Sequence, residues 1–349
     1  MSVRLAINGF GRIGRQCVRA ILEKIAEKNI TQDEIEVVAV NDLIDAETLT
    51  HLMKYDSVYG VLPNKINCND RPKDKAFVGE IVIDGFVIGV INEPDPARLP
   101  WKKLNVDIVI ESTGRFTDKD SASTHLKAGA KKVIISAPVK GGGVGTYIVG
   151  VNMDKLDKGE RIISNASCTT NCIAPVMKIM NEHFGIEKSL MTTVHAYTAD
   201  QVLVDGPHKD LRRARSAAIN VVPTTTGAAI AATAAIPELK GRFDGLSIRV
   251  PVPVGSISDI TMVLKREVTV GEINDQIKKE CEEPKWQGIL TCTEEPLVSS
   301  DIIGNPHSSI VDLSLTQVVD KNLAKVVAWY DNEWGYSNRM IEQVIEMGK

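Results

Sequence analysis

Short apolar runs rich in β-branched residues alternate with amphipathic stretches through the first half of the chain. "VRLAING" is followed by a helical period from Arg12 to Lys28, "IEVVAVN" by a second from Ala46 to Lys54, and "VDIVIES" and "KKVIIS" come later. Strand and helix in turn predict a parallel sheet wrapped by helices. Within this series "EIVIDGFVIGVI" carries Asp84-Gly85 between two strand-like runs, which predicts a tight hairpin and an antiparallel edge. From about Ser164 the texture changes. One helix from Thr169 to Phe184 precedes longer strands such as "SLMTTVHAYT", "LSIRVPV", "SISDITMVLK" and "AKVVAWYD", with helical stretches from Val270 to Glu283 and from Asn338 to Met347. The second half therefore reads as an α+β domain with a mainly antiparallel sheet.

A chain of 349 residues is too long for one ordinary core, so two domains are expected. The predicted division is 1–167 and 168–332, with the last helix, 333–349, returning to the first domain. Composition changes this picture little: 43% hydrophobic and 25% charged residues are ordinary for a globular protein. A formal charge of -4 argues against a dedicated nucleic-acid site, which needs a basic excess. Six cysteines without a Cys-x-x-Cys pair give neither a disulfide framework nor a zinc ribbon, and six histidines without an H-x-x-x-H pair add no metal motif. The start, "MSVRLAINGFGRIGR", enters a strand directly, and nothing in the chain has the length of a membrane span. A cytoplasmic, reducing setting is the expectation.

"NGFGRIGR" places Gly9, Gly11 and Gly14 in G-x-G-x-x-G spacing after a strand and at a helix start. Such glycines permit a tight turn, close approach of backbone to a pyrophosphate, and close packing of helix on strand. This predicts a Rossmann-type, dinucleotide-binding first domain and an α/β fold class. The second strand ends in Asn41-Asp42, where a carboxylate suits an adenosine ribose and repels a 2'-phosphate, favouring NAD over NADP. Asp42 lies further on than the usual ~20 residues.

"SNASCTTNC" sets Cys168 at a helix start among hydroxyl and amide side chains. A helix N-terminus lowers a cysteine pKa, as a nucleophilic sulfur near neutral pH requires. A buried apolar cysteine fits the same position, and the spacing alone leaves both open. Cys172, one turn on, reads as packing. His195, alternating with apolar residues in "MTTVHAYT", is a candidate base or a satisfied sheet histidine.

Taken in order, "INGFGRIGR", "SNASCTTNC", "TVHAYTADQ", "HKDLRRARSA", "PTTTGAA", "RVPVP" and "WYDNEWGYSNR" closely resemble the phosphorylating glyceraldehyde-3-phosphate dehydrogenase family over essentially the whole chain. The resemblance implies that Cys168 is the thiol nucleophile and His195 its base. It implies a substrate-phosphate site at Thr198 and Arg249, and an inorganic-phosphate site at Ser167, Thr169, Arg213, Thr226 and Gly227. It implies NAD contacts at Gly9, Gly11, Arg12, Ile13, Gly14, Asp42, Thr113, Gly114, Ser136 and Asn332, and leaves Tyr336 either beside the nicotinamide ring or a core aromatic. It also implies a homotetramer, in which residues 200–217 reach toward a neighbour. One departure is Pro94, where the family commonly carries an arginine near the adenine.

The implied reaction is oxidation of glyceraldehyde 3-phosphate with inorganic phosphate to 1,3-bisphosphoglycerate, with hydride passing to NAD. An erythrose 4-phosphate dehydrogenase tends to depart around Thr198 and "PTTTG", and those segments are intact. A non-catalytic NAD-binding interaction protein predicts loss of Cys168, His195 or the anion residues, and a cysteine hydrolase does not predict the glycine turn.

Overall fold

The computed structural model describes residues 2–31 and 33–349. The chain divides into two compact units, one comprising the chain through Thr146 with Leu156–Asn165 and Ser337–Lys349, the other Tyr147–Lys155 with Ala166–Tyr336.

The first unit contains strands β1 (Val3–Asn8), β2 (Ile35–Asn41), β3 (Tyr55–Asp56), β4 (Gly60–Val61), β5 (Ile66–Asn69), β6 (Gly79–Ile83), β7 (Phe86–Ile91), β8 (Ile108–Glu111), β9 (Lys132–Ile135), β10 (Gly145–Thr146) and β11 (Ile162–Ser164). Nine of them form one sheet in the order β10-β11-β9-β8-β1-β2-β7-β6-β5. All neighbours from β10 to β7 run parallel, and β6 and β5 complete an antiparallel edge. The β6–β7 hairpin turns at Asp84 and Gly85, both at positive φ (48° and 92°), as the Asp-Gly pair predicts. β8 is buried at all four positions, the mark of a strand covered on both faces.

Helices α1 (Arg12–Ala26), α2 (Ala46–Lys54) and α3 (Lys119–Lys127) belong to this unit. The sequence pattern misses α3, because its nine residues bury only Ala122 and His125; its visible signal is the Asp118/Ser121 capping box. Since the chain passes from β1 to β2 on one side and returns with β8 on the other, the connections diverge beyond the carboxyl ends of β1 and β8. Ligands of open α/β sheets bind at such a point.

The second unit contains α4 (Cys168–Phe184), β12 (Ile186–Ala196), β13 (Val222–Thr225), α5 (Ala228–Ala235), β14 (Phe243–Val250), β15 (Ser256–Leu264), α6 (Val270–Glu282), β16 (Leu290–Thr293), β17 (Ser309–Asp312), β18 (Gln317–Val319) and β19 (Leu323–Tyr330). Its sheet runs β13-β14-β12-β15-β19-β17-β16, with β18 on β19. Only β12–β14 and β16–β17 pair in parallel. β15 alternates buried and half-buried residues along its whole length, as a strand covered on one face does. Under that face α4 contributes Cys172, Ile173, Val176, Met177 and Met180 to a core shared with Trp286 and Tyr330. α5 also escapes the sequence pattern: "AAIAATAA" is mostly alanine and has no polar face to set a period. The final helix, α7 (Trp334–Gly348), starts four residues earlier than the periodicity suggests.

Candidate active site

Each glycine of the turn after β1 has a distinct task. Gly9 has φ +93°, and a Cβ there would lie 2.7 Å from the Thr113 backbone nitrogen, so turn and loop touch with nothing between them. A Cβ on Gly14 would lie 2.4 Å from the Gly9 carbonyl oxygen, which ties the first turn of α1 to the glycine corner. A Cβ on Gly11 would meet no protein atom within 4 Å, so its missing side chain leaves space at an uncapped helix start. That opening suits a pyrophosphate on backbone N–H groups.

Gly9, Gly11, Asp42, Pro94 and Thr113 line one cleft of about 240 Å³. One Asp42 oxygen accepts from the Phe10 N–H at 2.8 Å, fixing the carboxylate at the rim. Its other oxygen takes no protein hydrogen bond among the described residues, as a ribose ligand would require. Arg12 is oriented elsewhere: its guanidinium pairs with Asp56 at 2.6 Å. Ile13 is half-buried in the first turn of α1, Gly114 is exposed at φ +71°, and Ser136, outside the cleft lining, donates its N–H to the Glu111 carbonyl at 2.9 Å.

Sequence reasoning missed the support beneath this cleft. The buried Glu111 carboxylate accepts from Asn8 Nδ2 (2.6 Å), the Thr113 N–H (2.8 Å) and the Thr113 hydroxyl. Trp101 Nε1–H donates to His125 Nδ1 at 3.0 Å, so His125 Nε2 carries the proton given to Glu111 at 2.9 Å. Asn41 Nδ2 donates to Asn8 Oδ1 at 2.7 Å and to the Glu93 carbonyl at 2.9 Å. The signal was present, since β1, β2 and β8 each end in a polar residue after an apolar run. Arg115, a cation in the cleft lining, carried no signal.

In the second unit Ser167 caps α4, its hydroxyl accepting from the Thr170 N–H at 3.1 Å. Just before it, Ala166 holds φ +55°, and the Tyr336 hydroxyl donates to the Ala166 carbonyl at 3.0 Å. This corner presents Cys168 as the first residue of the helix, with Sγ 3.4 Å from His195 Nε2. His195 Nδ1–H donates to the Ala196 carbonyl at 2.6 Å, which leaves Nε2 as the acceptor facing the thiol. Tyr330 braces both partners: its hydroxyl bonds Thr169 and Thr193 at 2.8 Å each, and its ring meets the His195 ring edge-on with centroids 6.0 Å apart.

The lowered thiol pKa expected from the helix start is corrected by these surroundings. Burial pushes the Cys168 thiol up, outweighing Arg249 and the hydrogen bonds around Thr169 that pull it down. Burial, followed by the Arg249 charge, pushes His195 down to about 3. Both shifts favour the uncharged forms, a thiol beside an imidazole whose Nε2 faces it. Cys172 is fully buried, and burial carries its thiol up to about 12.

Parallel pairing of β12 with β14 sets Arg249 beside His195. Arg249 Nη1 donates to Thr198 Oγ1 at 2.9 Å and to the Ala196 carbonyl at 3.3 Å. Thr198, Arg249, His195 and Cys168 therefore stand in one constellation. Arg213 Nε donates to Thr224 Oγ1 at 2.9 Å, and its Nη1 to Asp200. Thr226 and Gly227 lie at the start of α5, where the helix has no side-chain cap. The Thr169 hydroxyl shares a hydrogen bond with the Tyr330 hydroxyl at 2.8 Å. Asn332 Oδ1 accepts from the Gly255 N–H (3.1 Å) and the Ser256 hydroxyl (2.9 Å), and its Nδ2 has no protein acceptor among the described residues.

Residues 3–119 match the glyceraldehyde 3-phosphate dehydrogenase NAD binding domain, and residues 167–332 match the C-terminal domain of the same family. The chain belongs to the glyceraldehyde 3-phosphate dehydrogenase family. It is 52% identical to a glyceraldehyde-3-phosphate dehydrogenase of Mycolicibacterium smegmatis, 51% to one of Streptomyces coelicolor and 53% to one of Mycobacterium avium, over 100% of this chain and 99% of each relative. Within this family, the glycine corner belongs to the NAD-binding domain and the cysteine–histidine pair to the C-terminal domain.

Proposed function

We propose that the protein oxidises D-glyceraldehyde 3-phosphate, with inorganic phosphate, to 1,3-bisphosphoglycerate. The observation that carries the proposal is a cysteine at a helix start with Sγ 3.4 Å from a histidine nitrogen free to accept its proton, in a member of this family. As Sγ attacks the aldehyde carbon, Nε2 takes the thiol proton and returns it to the developing alkoxide, giving a thiohemiacetal on Cys168. Bound NAD supplies a hydride acceptor. Nε2 accepts the hydroxyl proton as the C–H bond is oxidised, which leaves an acyl thioester on Cys168. Attack by inorganic phosphate on the thioester carbonyl releases the acyl phosphate and restores the thiol.

Gly9, Gly11, Arg12, Ile13 and Gly14 would hold the NAD pyrophosphate, Asp42 the adenosine ribose, Thr113, Gly114 and Ser136 the walls of the site, and Asn332 Nδ2 the carboxamide. Thr198 and Arg249 serve the substrate phosphate. Ser167, Thr169, Arg213, Thr226 and Gly227 serve the attacking phosphate, Thr169 through its backbone. Arginine supplies a fixed fork of donors suited to phosphate.

A homotetramer fits the outer face of the second sheet, where Leu190 and Leu246 are 66% and 45% exposed and Leu190 lines a broad groove with Ile230 of α5, itself 72% exposed. Sedimentation analysis checks it. Six free cysteines fit a cytoplasmic setting. No helix among the described residues is long and apolar enough to cross a membrane.

The deciding assay follows NADH formed from glyceraldehyde 3-phosphate with and without phosphate, then with NADP in place of NAD. Phosphate-dependent turnover with NAD is expected. An enzyme that forms NADH equally well without phosphate would overturn the reaction proposed.

A further inference from the structure

The loop after β12 holds a carboxylate that the proposed chemistry leaves without a task. Asp200 accepts hydrogen bonds from the Thr198 hydroxyl and from Arg213 Nη1. Its side chain is 43% exposed, open to whatever enters from solvent. Its carboxyl lies below the usual range: burial acts against the charge, and the Thr198 bond with the charges of Arg213 and Arg249 outweighs it.

Asp210 also lies near Arg213, 3.5 Å from Nε, but it differs in kind. It accepts from Thr224 Oγ1 at 3.0 Å, and Thr224 Oγ1 itself receives Arg213 Nε, so Asp210 belongs to the mount of the arginine. The Arg213 Nη2 donation to the Thr225 carbonyl, at 3.3 Å, adds to that mount. Asp200 takes the remaining side of the fork, and on its other flank the hydroxyl that Arg249 also reaches. One carboxylate thus engages a donor from each of the two proposed phosphate sites. Carboxylate and phosphate oxygens seek the same donors, and two anions cannot share them without repulsion.

We propose that Asp200 is a resident anion, exchanged for ligand phosphate when Thr198 and Arg213 take up their substrates, and therefore a residue that sets the charge threshold of the site. The inference rests on the proposed role of those two residues. While the carboxylate is in place, the donors stay oriented and no weak monoanion gains by entering. A phosphate dianion offers more charge and more oxygens than the carboxylate, and displaces it. Specificity of this kind comes from repelling the wrong ligand as much as from binding the right one.

Asp200→Asn in the full-length protein keeps the shape and removes the charge, and Asp200→Ser removes the competing oxygens as well. The inference expects the KM for inorganic phosphate to fall in both, by about twofold to fivefold, the scale of an exposed ion pair. Acetate, used as a monoanion probe, should become a measurable competitor of phosphate, and the KM for NAD should stay unchanged. A phosphate KM that rises or does not move in folded variants, judged by an unchanged melting temperature, overturns the inference. Wild-type turnover is the control: if it is absent the proposed function fails, and if it is present with an unmoved phosphate KM in the variants, only the role of Asp200 fails.

Discussion

The glycine corner of the first unit and the cysteine corner of the second are both strand-to-helix turns, yet they are made of different material. At Gly9, Gly11 and Gly14 the function lies in what is missing, since three absent side chains allow one contact, one opening and one close packing. At the cysteine corner the function lies in side chains, and its residues are held from far along the chain: Cys168 Sγ by His195, the Thr169 hydroxyl by Tyr330 and the Ala166 carbonyl by Tyr336. A corner made of backbone can be recognised from spacing. A corner made of side chains becomes visible only when the fold has gathered them.

Removing the sulfur alone should have the largest effect. Cys168→Ser should lower turnover by on the order of 10⁴-fold or more, while NAD titration of the variant gives an unchanged Kd. If the cofactor affinity falls as well, the two corners are not separable.

Replacing His195 tests the side-chain corner at its second member. His195→Asn is expected to lower kcat by about 10²–10⁴-fold, the range for loss of a positioned base. The same change tests the pH behaviour. His195 is held neutral, with a folded pKa of about 3 against an ordinary 6.5. Protons therefore bind the unfolded chain more readily, and stability present above pH 6.5 is lost as pH falls from there toward about 3. Denaturant titrations across that window should show a shallower loss for His195→Asn than for the wild type.

The backbone corner is tested by adding a single carbon. Gly9→Ala puts a Cβ 2.7 Å from the Thr113 nitrogen, at a φ of +93° that disfavours any side chain. A cost of about 2–5 kcal/mol is expected from overpacking and left-handed strain together. Thermal melting would report it, with weakened NAD binding from the displaced Thr113 loop.

Much of the first unit was legible because its signals are local. Apolar runs gave the parallel strands, Asp84-Gly85 gave the hairpin, and glycine spacing gave the cleft. What escaped was the layer beneath: Glu111, His125 and Asn8 act through bonds spanning 14 to 103 positions, which no window of sequence contains. In the second unit the residues of the site were named from resemblance, and His195 alone looks like any histidine on a half-buried strand. The surroundings of the half-buried Cys168 sulfur could not be read at all. They depend on how β12 and β19 close around the end of α4, and they reverse the pKa direction that the helix start suggests. α5 and α3 escaped for the opposite reasons of too little polarity and too little apolar surface.

Ala166 bears a consequence of its own. A residue with a Cβ at φ +55° loses about 1–2 kcal/mol in the left-handed region, whereas glycine there would lose about 0.4–1 kcal/mol through the greater freedom of the unfolded chain. Relief of the strain outweighs the added freedom, so Ala166→Gly should hold or slightly raise the melting temperature while letting the bend wander. The scatter in where the sulfur is aimed would then tell the two proteins apart, and a slower first turnover with no loss of thermal robustness is the signature to look for.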